Sequence, residues 1–152
     1  MMEIAAVPIE RRWDYRELLL LADPEEQAVR RYLDRGDMYV LKVDGEVVSE
    51  AVVLPEGEEC ELMNLATCEN AQGKGYAGRL VRYLMQLYSE KFRSMLVGTS
   101  EDGCGFYRKL GFQDAFVRER FFIENYEEEI IENGRQCVDM YCLRINLGGN
   151  GK

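Results

Sequence analysis

The stretch Gln72–Tyr88, QGKGYAGRLVRYLMQLY, constrains the fold more than any other part of the chain. Glycines at 73, 75 and 78 open a segment whose apolar residues Ala77, Leu80, Val81, Leu84, Leu87 and Tyr88 recur at three- and four-residue steps, the period of an amphipathic helix with one packed face. Amides at a helix start point outward unpaired and carry partial positive charge, and glycine removes the side chains that would keep a ligand away from them. Such a loop either cradles an anion or makes a tight turn with close helix packing. The elements around it decide between the two.

Upstream, Glu3–Ile9 reads as a first strand and DYRELLLLADP as a short helix halted by Pro24. A second helix is expected from DPEEQAVRRYLDRG, with Asp23 as N-cap, Pro24 at the first helical position and Gly36 as its stop. Met38–Leu54 holds two β-rich runs joined by Asp44-Gly45, the dipeptide of a type I′ hairpin. Cys60–Thr67 adds a third strand to this meander. Downstream, SMLVGT is a short buried strand, parallel to the preceding one if the helix is a right-handed crossover. A brief helix over Gly103–Leu110 ends at Gly111. FQDAFVRERFFI and CVDMYCLRINL form a closing strand pair around the acidic segment ENYEEEIIENGRQ, and GGNGK is a frayed tail. The expectation is one α/β domain of the α+β type over residues 1–147, with a tail at 148–152. Its central sheet is mostly antiparallel and mixed, with one parallel strand-helix-strand crossover and flanking helices.

Composition removes several chemistries. The chain of 152 residues contains no histidine, so Ser-His-Asp and Cys-His catalysis are excluded, and any base must be a carboxylate, lysine, tyrosine, cysteine or water. Cys60, Cys68, Cys104, Cys137 and Cys142 include no C-x-x-C pair, and without histidine no metal site is expected; the thiols read as reduced and packed. A net charge of −9 gives no surplus of cations to replace the counterions of a nucleic acid. There is no long apolar run and no basic, apolar leader, so the sequence reads as cytoplasmic, with no membrane partner. A homodimer stays open.

The glycine spacing 73-75-78 also spells the dinucleotide fingerprint G-x-G-x-x-G. That fold needs successive βαβ units and an acidic residue about 20 positions on to hold a ribose. Only one parallel crossover can be drawn here, and Glu90 falls inside the helix whereas Glu101 and Asp102 come late. Read from Gln72 to Ala77, the same letters spell Q-x-x-G-x-A, which resembles the coenzyme A loop of the GNAT superfamily of N-acetyltransferases. Phe106–Phe112, FYRKLGF, is similar to that superfamily's F-Y-x-K-x-G-F segment, in the right order along the chain. The resemblance spans essentially the whole chain and is closest to small bacterial members.

The resemblance implies acetyl-CoA as acyl donor, with Gln72, Gly73, Lys74, Gly75, Tyr76 and Ala77 around its pyrophosphate. The strand before the loop would splay from its neighbour, the backbone of Leu65 and Thr67 would bond the pantetheine arm, and Ala66 would sit near the thioester. A cradle of backbone amides needs no basic surface, so it coexists with the acidic balance, and Lys74 and Arg79 add local cationic help. Ser100 stands where many members carry asparagine; it could still bond coenzyme A.

Transfer to an amine requires the amine neutral, although a lysine-like group is mostly protonated at pH 7. Glu61 is the expected base, matching the basic glutamate of the histone-acetylating branch; a solvated glutamate in the turn EGEECE is the alternative. Alternation would put Glu59, Glu61, Met63, Leu65 and Thr67 on one face and Asn64 on the other. Tyr107 matches the tyrosine that often protonates or hydrogen-bonds the departing thiolate; the alternative is a core residue, as Phe106, Leu110 and Phe112 are expected to be. Cys104 reads as an idle thiol. The function implied is acetyl-CoA-dependent N-acetyl transfer to a primary amine of a small molecule or protein, directly in a ternary complex. The alternative is a catalytically silent acyl-CoA-binding or regulatory module. The acidic segment leans toward a cationic amine without identifying it.

Overall fold

The computed structural model describes residues 1–148; the expected tail beyond Gly148 lies outside the described residues. Strand β1 (Met2–Val7) ends before Pro8 instead of reaching Ile9, because proline has no N–H to continue the ladder. A 3-10 turn over Ile9–Tyr15 leads into helices α1 (Arg16–Ala22) and α2 (Glu26–Arg30). The N-cap of α2 is Glu25 and not Asp23, and no side chain caps it. The Asp23 carboxylate is engaged elsewhere, accepting hydroxyls from Tyr32 at 2.7 Å and Tyr126 at 2.6 Å.

Strands β2 (Asp37–Val43) and β3 (Glu46–Glu56) form the expected hairpin, with φ of +51° at Asp44 and +87° at Gly45, as a type I′ turn requires. Strand β4 (Glu59–Thr67) completes the meander. Helix α3 (Tyr76–Tyr88) then crosses to β5 (Ser94–Thr99), which runs parallel to β4. Helix α4 (Cys104–Lys109) closes at Gly111, whose φ of +107° is left-handed. The closing pair is β6 (Gln113–Arg118) and β9 (Met140–Asn146), but β9 inserts between β5 and β6, giving a seven-stranded sheet in the order β1-β2-β3-β4-β5-β9-β6. Phe121–Glu124 is a helical turn, α5, whereas Phe121–Ile123 were expected in a strand. The acidic segment also carries a small hairpin, β7 (Ile131–Glu132) and β8 (Arg135–Gln136), turned at Asn133-Gly134 with φ of +52° and +78°.

Each face of the sheet has its own core. On one, Leu80, Val81, Leu84 and Tyr88 of α3 pack on Val53, Leu62 and Met95. Burying each such leucine contributes about 1.5–3 kcal/mol. Leu87, counted with this face from its spacing, lies at the edge and is 38% exposed. On the other face, Leu19, Val29 and Leu33 cover Val40 and Val52.

A bulge decides what β4 presents to each face. Val52 pairs with Asn64 and Val53 with Leu62, so Met63 is an extra residue. Cys60, Leu62 and Leu65 therefore meet the α3 core, whereas Met63 and Asn64 both turn toward α1 and α2. The expected alternation fails at this point: Asn64 joins Met63, and Leu65 leaves it.

Candidate active site

Two adjacent strands part at the centre of the sheet. Parallel pairing between β4 and β5 runs only from Glu59 opposite Ser94 to Leu62 opposite Val97, after which β4 continues to Thr67 with no partner on that side. Ala66 O accepts the Ser49 hydroxyl at 2.8 Å and Cys68 N–H bonds Val48 O, so these residues face β3. Strand backbone alternates, and the peptide groups of Leu65 and Thr67 therefore face the opening. They offer an extended ligand the edge of a sheet.

The splayed strand feeds the glycine loop. Gln72 Nε2 donates to Thr67 O at 3.0 Å and clips the loop to the end of β4. Gly73 and Gly75 have φ of +80° and +87°, and a Cβ built on either would meet nothing within 4 Å. Glycine is required there for its backbone angle, and the space over the loop stays open. Gly75 is the N-cap of α3 and no side chain caps that helix start, so its first amides are free for an acceptor. Lys74 and Arg79 lie exposed beside it, and among the described residues neither forms an ion pair. Gly78 differs from the other two: its φ is not left-handed, and its added Cβ would make ordinary contacts with Arg82 Nη1 at 3.4 Å and Leu110 at 3.9 Å.

A cavity of about 640 Å³ lies on the α1/α2 side of the splay and reaches Tyr107. A buried polar chain forms part of its lining. Asn64 Nδ2 donates to Leu19 O at 3.1 Å and to the Tyr32 hydroxyl at 3.0 Å; Tyr32 and Tyr126 then donate to the two oxygens of Asp23. Burial holds Asp23 above the ordinary carboxylate range, against the opposing pull of the two hydroxyls. Sequence patterns could not reveal this chain, because Asp23 and Tyr126 are 103 residues apart and Asp23-Pro24 carries the local signature of a cap.

Of the expected site residues, Gln72–Ala77 form the loop and Leu65, Ser100 and Tyr107 line the cavity, whereas Glu61, Ala66 and Thr67 are not in its lining. Glu61 lies on the α1/α2 side of β4, its carboxylate 3.2 Å from Arg118 Nη1 and its side chain 14% exposed. Arg118 lines the cavity; nothing in the sequence singled it out. Tyr107 is buried between Phe106 and Phe112, with ring centroids at 4.9 and 5.5 Å. Its hydroxyl makes no hydrogen bond among the described residues, and burial raises its pKa. Phe112 is core as expected, but Phe106 is 38% exposed. Ser100 lies across the splay at the end of β5 and gives its hydroxyl to Glu132 Oε1 at 2.6 Å. Cys104 is buried, its thiol bonded to Ser100 O and pushed up in pKa by burial, so it is a packed thiol. All five cysteines are free, and the described residues contain no cluster suited to a metal ion. No described helix is long and apolar enough to cross a membrane.

One carboxyl stands apart. Glu50 of β3, in register with Ala66, is wholly buried, and neither of its oxygens has a partner among the described residues. Burial pushes its pKa well above the usual value, so it is held as the neutral acid.

Comparison with known proteins places this geometry. The acetyltransferase (GNAT) domain family matches residues 34–114. The N-acetyltransferase YvbK of Bacillus subtilis is 35% identical over 140 residues, covering 86% of this chain and 88% of its own. An IAA acetyltransferase from Bacillus cereus superposes with a TM-score of 0.89 at 35% identity, over 96% of this chain and 99% of its own. A GNAT family acetyltransferase from Elizabethkingia anophelis, solved with acetyl-CoA bound, gives a TM-score of 0.87 at 32% identity, covering 95% and 97%.

Proposed function

The chain belongs to the GNAT acetyltransferase family and is an acyltransferase; from that premise we propose that it moves the acetyl group of acetyl-CoA directly to the primary amine of a small molecule bound in the cavity, within a ternary complex. The observation that carries this reading is the continuity of three features. The free helix start at Gly75, the unpaired edge at Leu65 and Thr67, and the cavity at Asn64 and Tyr107 follow one another along the splay. A pyrophosphate on the loop would direct the pantetheine arm along β4, with the thioester beside Ala66 and the acceptor entering from the α1/α2 side.

In this reading Gln72–Ala77 hold the pyrophosphate through backbone amides, with Lys74 adding charge. Ser100, with its hydroxyl given to Glu132, has only lone pairs left to offer the donor. Glu61 takes the proton of the amine, directly or through a water, while Arg118 fixes its carboxylate. The amine nitrogen forms its bond to the acetyl carbon, the carbon–sulfur bond breaks, and coenzyme A leaves as a thiolate. Tyr107 gives its proton to that sulfur; its hydroxyl has no partner among the described residues and is still protonated when the thiolate forms.

The experiment is release of free thiol from acetyl-CoA, followed against a panel of amines, alongside the melting temperature with acetyl-CoA and with NAD. Amine-dependent thiol release and a shift with acetyl-CoA alone are expected. A shift with NAD alone would overturn the loop assignment. A shift with acetyl-CoA but no thiol release with any amine would make the chain a silent acyl-CoA-binding module.

A further inference from the structure

Resting on that transfer reading, we propose that the acceptor carries a carboxylate as well as its primary amine, on an aromatic or bulky apolar body: a small amino acid and not a polyamine. The argument starts from the charges around the cavity. Its acids are already committed. Both oxygens of Asp23 accept tyrosine hydroxyls, Glu132 accepts Ser100, and Glu61, behind the lining, is ion-paired with Arg118.

Two of its cations are not committed. Arg31 and Arg35, at the end of α2, both line the cavity, and among the described residues neither has an acidic partner. Arg35 spends one nitrogen on Arg31 O; the guanidinium of Arg31 makes no hydrogen bond among the described residues, although it lies near enough to Asp23 and Tyr126 to act on them electrostatically. A guanidinium presents its donors in a fork that matches a carboxylate. No acid among the described residues pairs with these two exposed guanidiniums, and a ligand carboxylate would supply that partner.

The body of the acceptor follows from the aromatic part of the lining. Phe121, Phe122 and Tyr126 form a mutual aromatic cluster with centroids 5.5 to 6.3 Å apart, and all three line the cavity. A volume of about 640 Å³ suits a small molecule. Arg31 and Arg35, without an ion-pair partner, disfavour an ammonium beside them and favour the neutral amine that attacks a thioester. A polyamine would leave both guanidiniums without an anionic partner.

The test uses pairs differing only in the carboxylate: phenylalanine against 2-phenylethylamine, tyrosine against tyramine, tryptophan against tryptamine. Binding is measured by calorimetry with coenzyme A present, and turnover by thiol release. At least one carboxylated member is expected to bind about 10- to 100-fold more tightly than its partner, the range of a charge-assisted hydrogen-bonded pair. Arg31→Gln should remove most of that difference while leaving the acetyl-CoA melting shift unchanged, and Arg35→Gln gives the same reading if the first variant folds poorly. Equal or better binding of the decarboxylated members in every pair overturns the proposal, as does an equal loss for both members in the variants. Because the preference is read from binding, it stands or falls independently of turnover. Absence of thiol release with any amine would instead count against the transfer reading.

Discussion

Replacing Gly75 by alanine separates a loop that binds from a loop that merely turns. With φ of +87° and no atom within 4 Å of an added Cβ, the substitution creates no clash in the free protein. Its cost is the left-handed backbone, about 1–2 kcal/mol for a residue with a Cβ. For a chain of this size that amounts to a fall in melting temperature of about 2–8 °C. The bound state is different. At a hundredfold excess over Kd, acetyl-CoA should stabilise the wild type by about 2.7 kcal/mol, a rise of about 5–10 °C. If phosphate oxygens approach the amides that follow Gly75, the new methyl occupies the space they need, and that rise should vanish under the same conditions. Differential scanning fluorimetry of both proteins with and without acetyl-CoA gives all four numbers. A variant that loses a few degrees alone yet keeps the full ligand shift would refute the cradle and leave the glycine as a turn residue.

Glu61→Gln should lower turnover about 10²-fold at neutral pH, with the deficit shrinking as pH rises and solvent deprotonates the amine; a pH-rate series that stays parallel to wild type would argue for a structural role of the Arg118 pair instead. Tyr107→Phe should keep the fold and acetyl-CoA binding but slow single turnover about 10²-fold, and an undiminished rate would remove its role as acid. Glu50→Gln tests the buried carboxyl through stability. With its folded pKa raised well above 4.5, Glu50 keeps its proton while the unfolded chain loses it. Wild-type stability should therefore fall above pH 4.5 by up to about 1.4 kcal/mol per unit from this group, until the folded pKa is passed. The glutamine variant should lack that slope in urea melts from pH 5 upward, and an unchanged slope would mean that Glu50 is solvated or paired.

Much of the fold was legible because it rests on local rules. Asp44-Gly45 specifies a turn through its own backbone angles, and the three- and four-step pattern of Leu80, Val81 and Leu84 specifies a packed helix whatever it packs against. The glycine loop was readable for the same reason: positive φ at Gly73 and Gly75 is a conformation that glycine itself admits without steric cost. The parallel strand after α3 followed from connectivity.

What depends on partners distant in the chain was decided only by tertiary structure. Asp23 carries every local mark of a helix cap, yet two tyrosine hydroxyls claim it, because a buried carboxylate is stabilised by whatever donors packing brings to it. Met63 looks like an ordinary strand residue, and the bulge that sends Asn64 into the cavity exists only in register with β3. The aromatic run Phe121–Ile123 has strand propensity, but the pairing of β6 with β9 ends at Arg118 opposite Met140, Arg120 turns the chain with φ of +58°, and Phe121 and Phe122 line the cavity from α5. The sequence alone thus determined the glycine loop, whose form rests on backbone geometry. The cavity, lined by side chains from α1, α2, β4 and α5 among others, came into being only when long-range packing and hydrogen bonding brought them to one place.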